Sequence, residues 1–322
     1  MRMLTVLIST GVLTSRLPQA TRQSLGTFWG ESMRRVALAA LLSCAAVFST
    51  STAHAADVTG VAFVHGTGKQ TNAYQDYWQP TMVNNVRGGL ANPANYVVIN
   101  CDFTQYMWDS RAAGCLAGQL SSFIQSKSIT RLIIITHSNG GNVMRWILSN
   151  PTYDSRYPNI INKIVRVDAL APSSAGTPLA DAVINGNVFE TSLGWLLGYK
   201  SDAVRQQQVS WMATYNANNL YGTAGRPSLP KLFRAVVGTD VETAVWDSDS
   251  YCGGYAENLG LETTQWWLDS CSDGFLNCSS QSAAGSVWFK DKTKMAGQEP
   301  LSHNQSRRAC FGLDTVLRND MK

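Results

Sequence analysis

Ser138 closes the run Arg131-Leu132-Ile133-Ile134-Ile135-Thr136-His137 and is followed by Asn139-Gly140-Gly141. A serine hydroxyl is a weak nucleophile until a base takes its proton and donors await the charge on the attacked oxygen. Such chemistry needs a histidine, a carboxylate to orient it, and backbone N–H groups on a tight turn. Five of the residues before Ser138, Leu132 to Thr136, are apolar or β-branched, as a strand buried on both faces requires. Those after it, Asn142 to Leu148, continue with helical spacing. A strand, a sharp turn with serine at its apex and a helix expose Oγ at the carboxyl edge of a sheet. The same arrangement aims the positive end of the helix dipole at that point. Gly140 and Gly141 lack Cβ, which lets helix and strand approach. Thr136 stands where G-x-S-x-G has its first glycine, and its branched side chain crowds the turn.

A second glycine-rich turn, His65-Gly66-Thr67-Gly68, ends a strand predicted over 58–64 and can present N–H donors. The base follows by elimination among four histidines. His54 belongs to the leader described below, and His65 to the glycine-rich turn. His137 lies in the serine turn itself, where its side chain is expected to point away from the serine. His303 remains, within Leu301-Ser302-His303-Asn304-Gln305-Ser306. Two carboxylates are candidates for its partner. Asp240 closely follows a strand predicted over 232–238. Asp273 begins an Asp-Gly turn bracketed by Cys271 and Cys278. Asp247 and Asp249 are weaker candidates.

The elements that must position these residues alternate along the chain. Strands are expected over 58–64, 96–103, 132–136, 163–170 and 232–238, with helices over 74–86, 108–126 and after Ser138. This alternation implies an α/β fold with a parallel sheet covered on both faces.

Arg34-Arg35 precede an apolar stretch over 36–48, and Ala53-His54-Ala55 fits an A-x-A cleavage pattern. Residues 1–55 therefore read as a leader with a secretory signal peptide, translation starting at Met33. The apolar run is too short for a membrane span, and no other stretch is long and apolar enough. The protein is expected outside the cytoplasm, extracellular or periplasmic, with 56–322 forming one catalytic domain. Five Arg and one Glu fall in the leader, leaving 21 basic and 21 acidic side chains in 56–322. No basic surface for nucleic acid is implied. Six cysteines remain: Cys101, Cys115, Cys252, Cys271, Cys278 and Cys310. An even number in an exported chain implies disulfides. The expected pairs are Cys101–Cys115, Cys252–Cys271 and Cys278–Cys310, the last tying the Asp273 loop to the segment after His303. No C-x-x-C or Cys/His pair has zinc-ligand spacing, and no metal is expected.

Together these pieces resemble the α/β-hydrolase superfamily, and within it the secreted bacterial lipases. Val64-His65-Gly66-Thr67-Gly68 is similar to their oxyanion turn, and Thr136-His137-Ser138-Asn139-Gly140-Gly141 to their serine turn. Ala175-Gly176-Thr177-Pro178-Leu179-Ala180-Asp181 resembles a segment beyond the following strand. Asp273-Gly274-x-Leu276-x-Cys278-Ser279-Ser280 resembles their acid loop. The resemblance implies an α/β-hydrolase fold: a mostly parallel central sheet, helices on both faces, and a possible helical lid within 182–225. It implies the chain order serine, acid, histidine, which His303 fits, and favours Asp273 over Asp240. It assigns the oxyanion donors to the N–H groups of Thr67 and Asn139. Several of these lipases have a calcium-associated Asp two residues after the histidine. Gln305 stands there, so neither calcium nor another cofactor is expected. Within the lid segment, Trp195, Leu196, Leu197, Tyr199, Trp211, Met212 and Tyr215 either form a lipid-contacting surface or pack on the core. The expected activity is a lipase acting on acylglycerol esters at an interface. An extracellular polyester depolymerase is the nearest alternative, and a non-catalytic lipid- or surface-binding module is the alternative from another class.

Overall fold

A computed structural model describes residues 56–186 and 200–321. The leader at 1–55, with the expected signal peptide, lies outside the described residues, as do Trp195, Leu196, Leu197 and Tyr199. The described strands are β1 (Thr59–Val64), β2 (Tyr96–Val98), β3 (Arg131–His137), β4 (Ile164–Leu170), β5 (Leu232–Val237) and β6 (Ser286–Lys290). They form one sheet in the order β2-β1-β3-β4-β5-β6, every neighbouring pair parallel. The helices are α1 (Pro80–Arg87), α2 (Cys115–Ser126), α3 (Gly140–Ser149), α4 (Tyr157–Lys163) and α5 (Pro178–Ile184). They continue with α6 (Asp202–Gln206), α7 (Val209–Asn218), α8 (Tyr255–Thr264), α9 (Cys278–Gln281) and α10 (Leu313–Asn319).

The alternation of side chains along β3 explains why helices must cover both faces. Leu132 and Ile134 pack with Leu116 and Leu120 of α2 and Val143 and Ile147 of α3. Ile133 and Ile135 point to the other face, into a cluster with Met82 and Val86 of α1 and Leu313 and Leu317 of α10. Each such side chain, fully buried, contributes about 1.5–3 kcal/mol. A strand carrying four in succession is stable only in the middle of the sheet, where β3 lies. β2 lies on one side of β1 and β3 on the other, so the winding reverses between β1 and β3. That reversal opens a crevice at the carboxyl ends of the strands. Val64 pairs with Thr136, which brings the turn after β1 level with the turn after β3.

Three predicted elements differ from expectation; the first is the helix predicted over 74–86, which is interrupted at Gln79, with a wider turn over Tyr74–Trp78 preceding α1. The strand predicted over 96–103 stops at Val98, because the Asn100 N–H turns to the Gln119 side chain and Cys101 enters a disulfide with Cys115 of α2. The helix predicted from Trp108 starts regular α geometry at Cys115, after a wider turn over Ser110–Gly114. β6 was not anticipated: three of its five residues are exposed, and its apolar run is only Val287-Trp288-Phe289.

All six cysteines among the described residues are bonded, and two of the expected pairings are corrected. Cys101–Cys115 is present; the others are Cys252–Cys310 and Cys271–Cys278. The Asp273 segment is a hairpin that closes on itself, with Ser272 bridging Asn277 and the Cys278 N–H donating to the Cys271 carbonyl at 2.8 Å. The chain beyond His303 instead runs past Gly253, whose carbonyl accepts from Asn304 Nδ2 at 2.5 Å, and this carries Cys310 to Cys252. No described helix is long and apolar enough to cross a membrane.

Candidate active site

Ser138 sits at the junction of β3 and α3 with φ +53°, a left-handed conformation that costs a non-glycine residue about 1–2 kcal/mol. Its N–H donates to the Leu170 carbonyl at 3.0 Å, and its own carbonyl accepts from the Gly141 N–H at 3.0 Å. The end of β4 and the first turn of α3 thus hold the backbone that displays Oγ. Missing Cβ atoms provide the room. A Cβ on Gly66 would lie 2.8 Å from Ser138 Cβ and 2.5 Å from Tyr77 Oη, and one on Gly140 would collide with the His65 carbonyl. The crowding expected from Thr136 is relieved on the helix side: a Cβ on Gly141 would already stand 3.5 Å from Thr136 Oγ1 and 3.2 Å from Pro172 Cβ.

The turn after β1 meets this turn from the other side. The N–H groups of Thr67 and Asn139 donate to no acceptor among the described residues. Both residues are braced by α6 and the residue after it, a contact with no sequence signal. Gln207 Nε2 donates to Thr67 Oγ1 at 2.9 Å, and Gln206 Nε2 donates to Asn139 Oδ1 at 3.0 Å. Gln206 and Gln207 are themselves fully buried.

Two histidines beside these turns are locked as neutral tautomers. His65 donates from Nδ1 to the Gly66 carbonyl at 2.8 Å and accepts at Nε2 from the Cys101 N–H at 3.3 Å. Burial pulls its pKa down to about 4. His137 does not point away from the site, contrary to expectation. Its ring lies 4.6 Å from that of His303 and lines the same cleft as Ser138. A carbonyl can only accept, so the 2.9 Å contact to the His303 carbonyl places the proton on His137 Nε2. Nδ1 then accepts from the Tyr77 hydroxyl at 2.6 Å. Burial, followed by the nearby His303, holds the His137 pKa well below its ordinary value. Tyr77 and His137 were missed as support residues. The position of His137 immediately before the serine was the available signal.

Asp273 and His303 come from loops outside the sheet. Asp273 is fully buried, and three donors satisfy its carboxylate. Oδ1 accepts from the Phe275 and Leu276 N–H groups at 2.9 and 2.7 Å, and Oδ2 accepts from His303 Nδ1 at 2.7 Å. The His303 N–H also donates to the Asp273 carbonyl at 2.8 Å. With Nδ1 protonated toward Asp273, the accepting lone pair of His303 is on Nε2. A glycine again allows the approach: a Cβ on Gly238, just past β5, would stand 3.0 Å from Asp273 Cβ. Asp240 does not join the group. Its Oδ1 accepts from the Val241 N–H and Gln265 Nε2, both at 2.9 Å, and no hydrogen bond links it to His303. Ser138, His137, His303 and Thr67 line one narrow cleft with about 70 Å³ of open space. Tyr77, Leu261, Phe275, Asn304 and Arg307 complete its walls.

No protein-family model matches the chain, and no curated protein matches it by sequence. Solved structures do. The mature form of the Bacillus licheniformis lipase BlEst2 aligns with a TM-score of 0.53 at 18% identity, over 79% of this chain and 86% of that one. Its propeptide form aligns at 0.51 and 18%, over 77% of this chain and 47% of that longer one. The fold is the α/β-hydrolase fold.

The segment 182–225, where a lid was expected, lies between β4 and β5 in chain order. Its described part packs on the body of the domain: Ala203, Val204 and Met212 are fully buried, while Trp211 is half exposed. Among the described residues no group of three or more His, Cys, Asp or Glu side chains is placed to hold a metal ion. Gln305 accepts from the Ser302 N–H at 2.8 Å and donates to the Asp249 carbonyl at 3.4 Å.

Proposed function

We propose that this chain is a secreted carboxylic ester hydrolase of the lipase type, with Ser138 as nucleophile. The observation that carries the reading is the buried Asp273–His303 hydrogen bond in the wall of the cleft that holds Ser138 on its left-handed turn. His303 Nε2 takes the hydroxyl proton as Ser138 Oγ attacks the ester carbonyl carbon. Asp273 holds the tautomer and stabilises the imidazolium. The N–H groups of Thr67 and Asn139 receive the negative oxygen. The carbon–oxygen bond to the leaving alcohol then breaks, and His303 returns its proton to that alcohol. Water, deprotonated by the same His303, releases the acid and restores Ser138. No step needs a metal or cofactor. Export is supported by the signal-like leader together with three disulfides.

An extracellular polyester depolymerase is the second reading. Trp246 and Trp266 are 87% and 88% exposed, as suits contact with an insoluble surface. Turnover of p-nitrophenyl esters of graded chain length, an acylglycerol emulsion and a polyester film separates the two. Ser138→Ala should lower ester turnover about 10⁶-fold with the fold intact, and a serine-directed phosphonate should add its mass to the peptide holding Ser138. Labelling elsewhere, or a mutant of near-normal activity, refutes the assignment. Absence of turnover on every ester would favour a non-catalytic binding module.

A further inference from the structure

Arg307 lies four residues after His303, at the end of the short turn Gln305–Arg307, and its side chain forms part of the wall of the Ser138 cleft. Nε donates to Asn304 Oδ1 at 2.8 Å, Nη1 donates to the Tyr77 carbonyl at 2.7 Å, and the guanidinium lies 4.3 Å from the Tyr77 ring centroid. These contacts fix its orientation and leave Nη2 with no acceptor among the described residues. Arg308, directly behind, donates to the same Tyr77 carbonyl, and its Nε is buried with no partner. Two guanidinium groups therefore converge on one neutral oxygen. Among the described residues neither has a carboxylate within ion-pair distance. Glu257, on the first turn of α8, acts on both only from farther away. The Asp273 carboxylate is already satisfied by His303 and two N–H groups.

Holding a cation against a partly dry wall is unfavourable unless an anion or a full set of acceptors compensates it. Here the protein supplies neutral acceptors only. Burial draws both guanidinium pKa values below their ordinary value, Arg308's to about 9, and an arginine side chain keeps its charge in proteins. The compensating charge can come from what enters the cleft. Guanidinium groups pair most strongly with carboxylates and phosphates. Ser138 and Arg307 line the same small cleft, so a single compact ester can reach both.

We propose that Arg307 is a specificity-determining residue that selects esters carrying an oxyanion group, a carboxylate or a phosphate, a few bonds from the scissile carbonyl. The proposal rests on the hydrolase reading above. Three comparisons test it: monomethyl glutarate against methyl valerate, butyryl glycolate against ethyl butyrate, and butyryl glycerol phosphate against monobutyrin. The first two place a carboxylate on the acyl and alcohol sides, and the third tests phosphate. At low salt at least one charged ester should be preferred about tenfold or more in kcat/KM over its neutral counterpart. That ratio should fall about tenfold in Arg307→Gln, persist in part in Arg307→Lys, and shrink in 1 M salt. Equal rates within every pair, or a ratio unchanged in Arg307→Gln, overturn the proposal. A second readout does not depend on turnover. Calorimetry should detect binding of monomethyl glutarate or inorganic phosphate to Ser138→Ala, lost when Arg307→Gln is added. No binding of either probe overturns the anion site whatever the activity. Binding without turnover of any ester would instead fail the hydrolase reading and leave the anion site standing.

Discussion

The two walls of the cleft are built by different means. Ser138, with Gly66 and Gly140 against it, belongs to the sheet: its backbone is bonded to β4 and α3, and its neighbours are excluded Cβ positions and apolar clusters. Asp273 and His303 lie in loops that follow β5 and β6. An Asp-Gly turn, a set of buried hydrogen bonds and the bridges Cys271–Cys278 and Cys252–Cys310 hold them. Packing fixes the first wall to the domain core. The second adds local hydrogen bonds and covalent links to the packing of Phe275, Leu276 and Leu301 in apolar clusters. The two walls touch through His137, whose Nε2–H reaches the His303 carbonyl.

After the loss of Ser138 itself, the largest expected effect lies within the second wall. Asp273→Asn should lower kcat about 10³–10⁴-fold, because an amide favours the wrong tautomer of His303. Asp240→Asn should change it by less than about tenfold. Steady-state kinetics on a soluble ester distinguishes the two, and a reversed order would move the acid to the end of β5.

Acid should weaken the first wall. His65 has a folded pKa near 4 against an ordinary 6.5, so it is neutral in the native state and gains a proton on unfolding within that window. The unfolded chain binds more protons there, so stability is fully present above pH 6.5 and declines as pH falls toward 4. The shift corresponds to roughly 3 kcal/mol, and His137 acts in the same direction. Urea unfolding from pH 7.5 to 4.5 should show the decline, and His65→Gln, which cannot gain that proton, should reduce it, leaving the part due to His137. A wild-type profile already flat over this range would refute the account.

Cutting the link in the acid loop should have a smaller effect on rate. Cys271→Ser with Cys278→Ser should lower kcat roughly tenfold to a hundredfold, as a small misplacement of reacting groups does, with the far-ultraviolet circular dichroism unchanged. The equivalent removal of Cys101–Cys115 should leave kcat within a few-fold. Equal losses from the two removals would mean that both walls are held alike.

The same contrast explains what could be read from sequence. The strand leading to Ser138 was legible because four consecutive apolar side chains leave a buried central strand as the simplest solution, and glycines mark the close approaches. The turn at His65 was legible for the same reason. His303 was reached by elimination, and Asp273 through a resemblance, because a loop fixed by hydrogen bonds imposes no periodicity on its residues. The cysteine pairing failed where it depended on the path of those loops: the closure of the 271–278 hairpin and the passage of Asn304 beside Gly253 are three-dimensional facts. Gln206, Gln207 and Arg307 were invisible, since polar residues in an insertion or a terminal turn read as solvated surface until their partners are known.

Ser138 occupies a backbone position that glycine would adopt with less strain. The turn asks for a small residue with left-handed φ, with Gly66 packed so close that a Cβ there would lie 2.8 Å from Ser138 Cβ. Selection for thermal robustness alone would therefore drift toward glycine at this point and erase the hydroxyl. A laboratory evolution campaign that screens only for survival on heating would reward that loss, so any such screen of this protein has to include turnover.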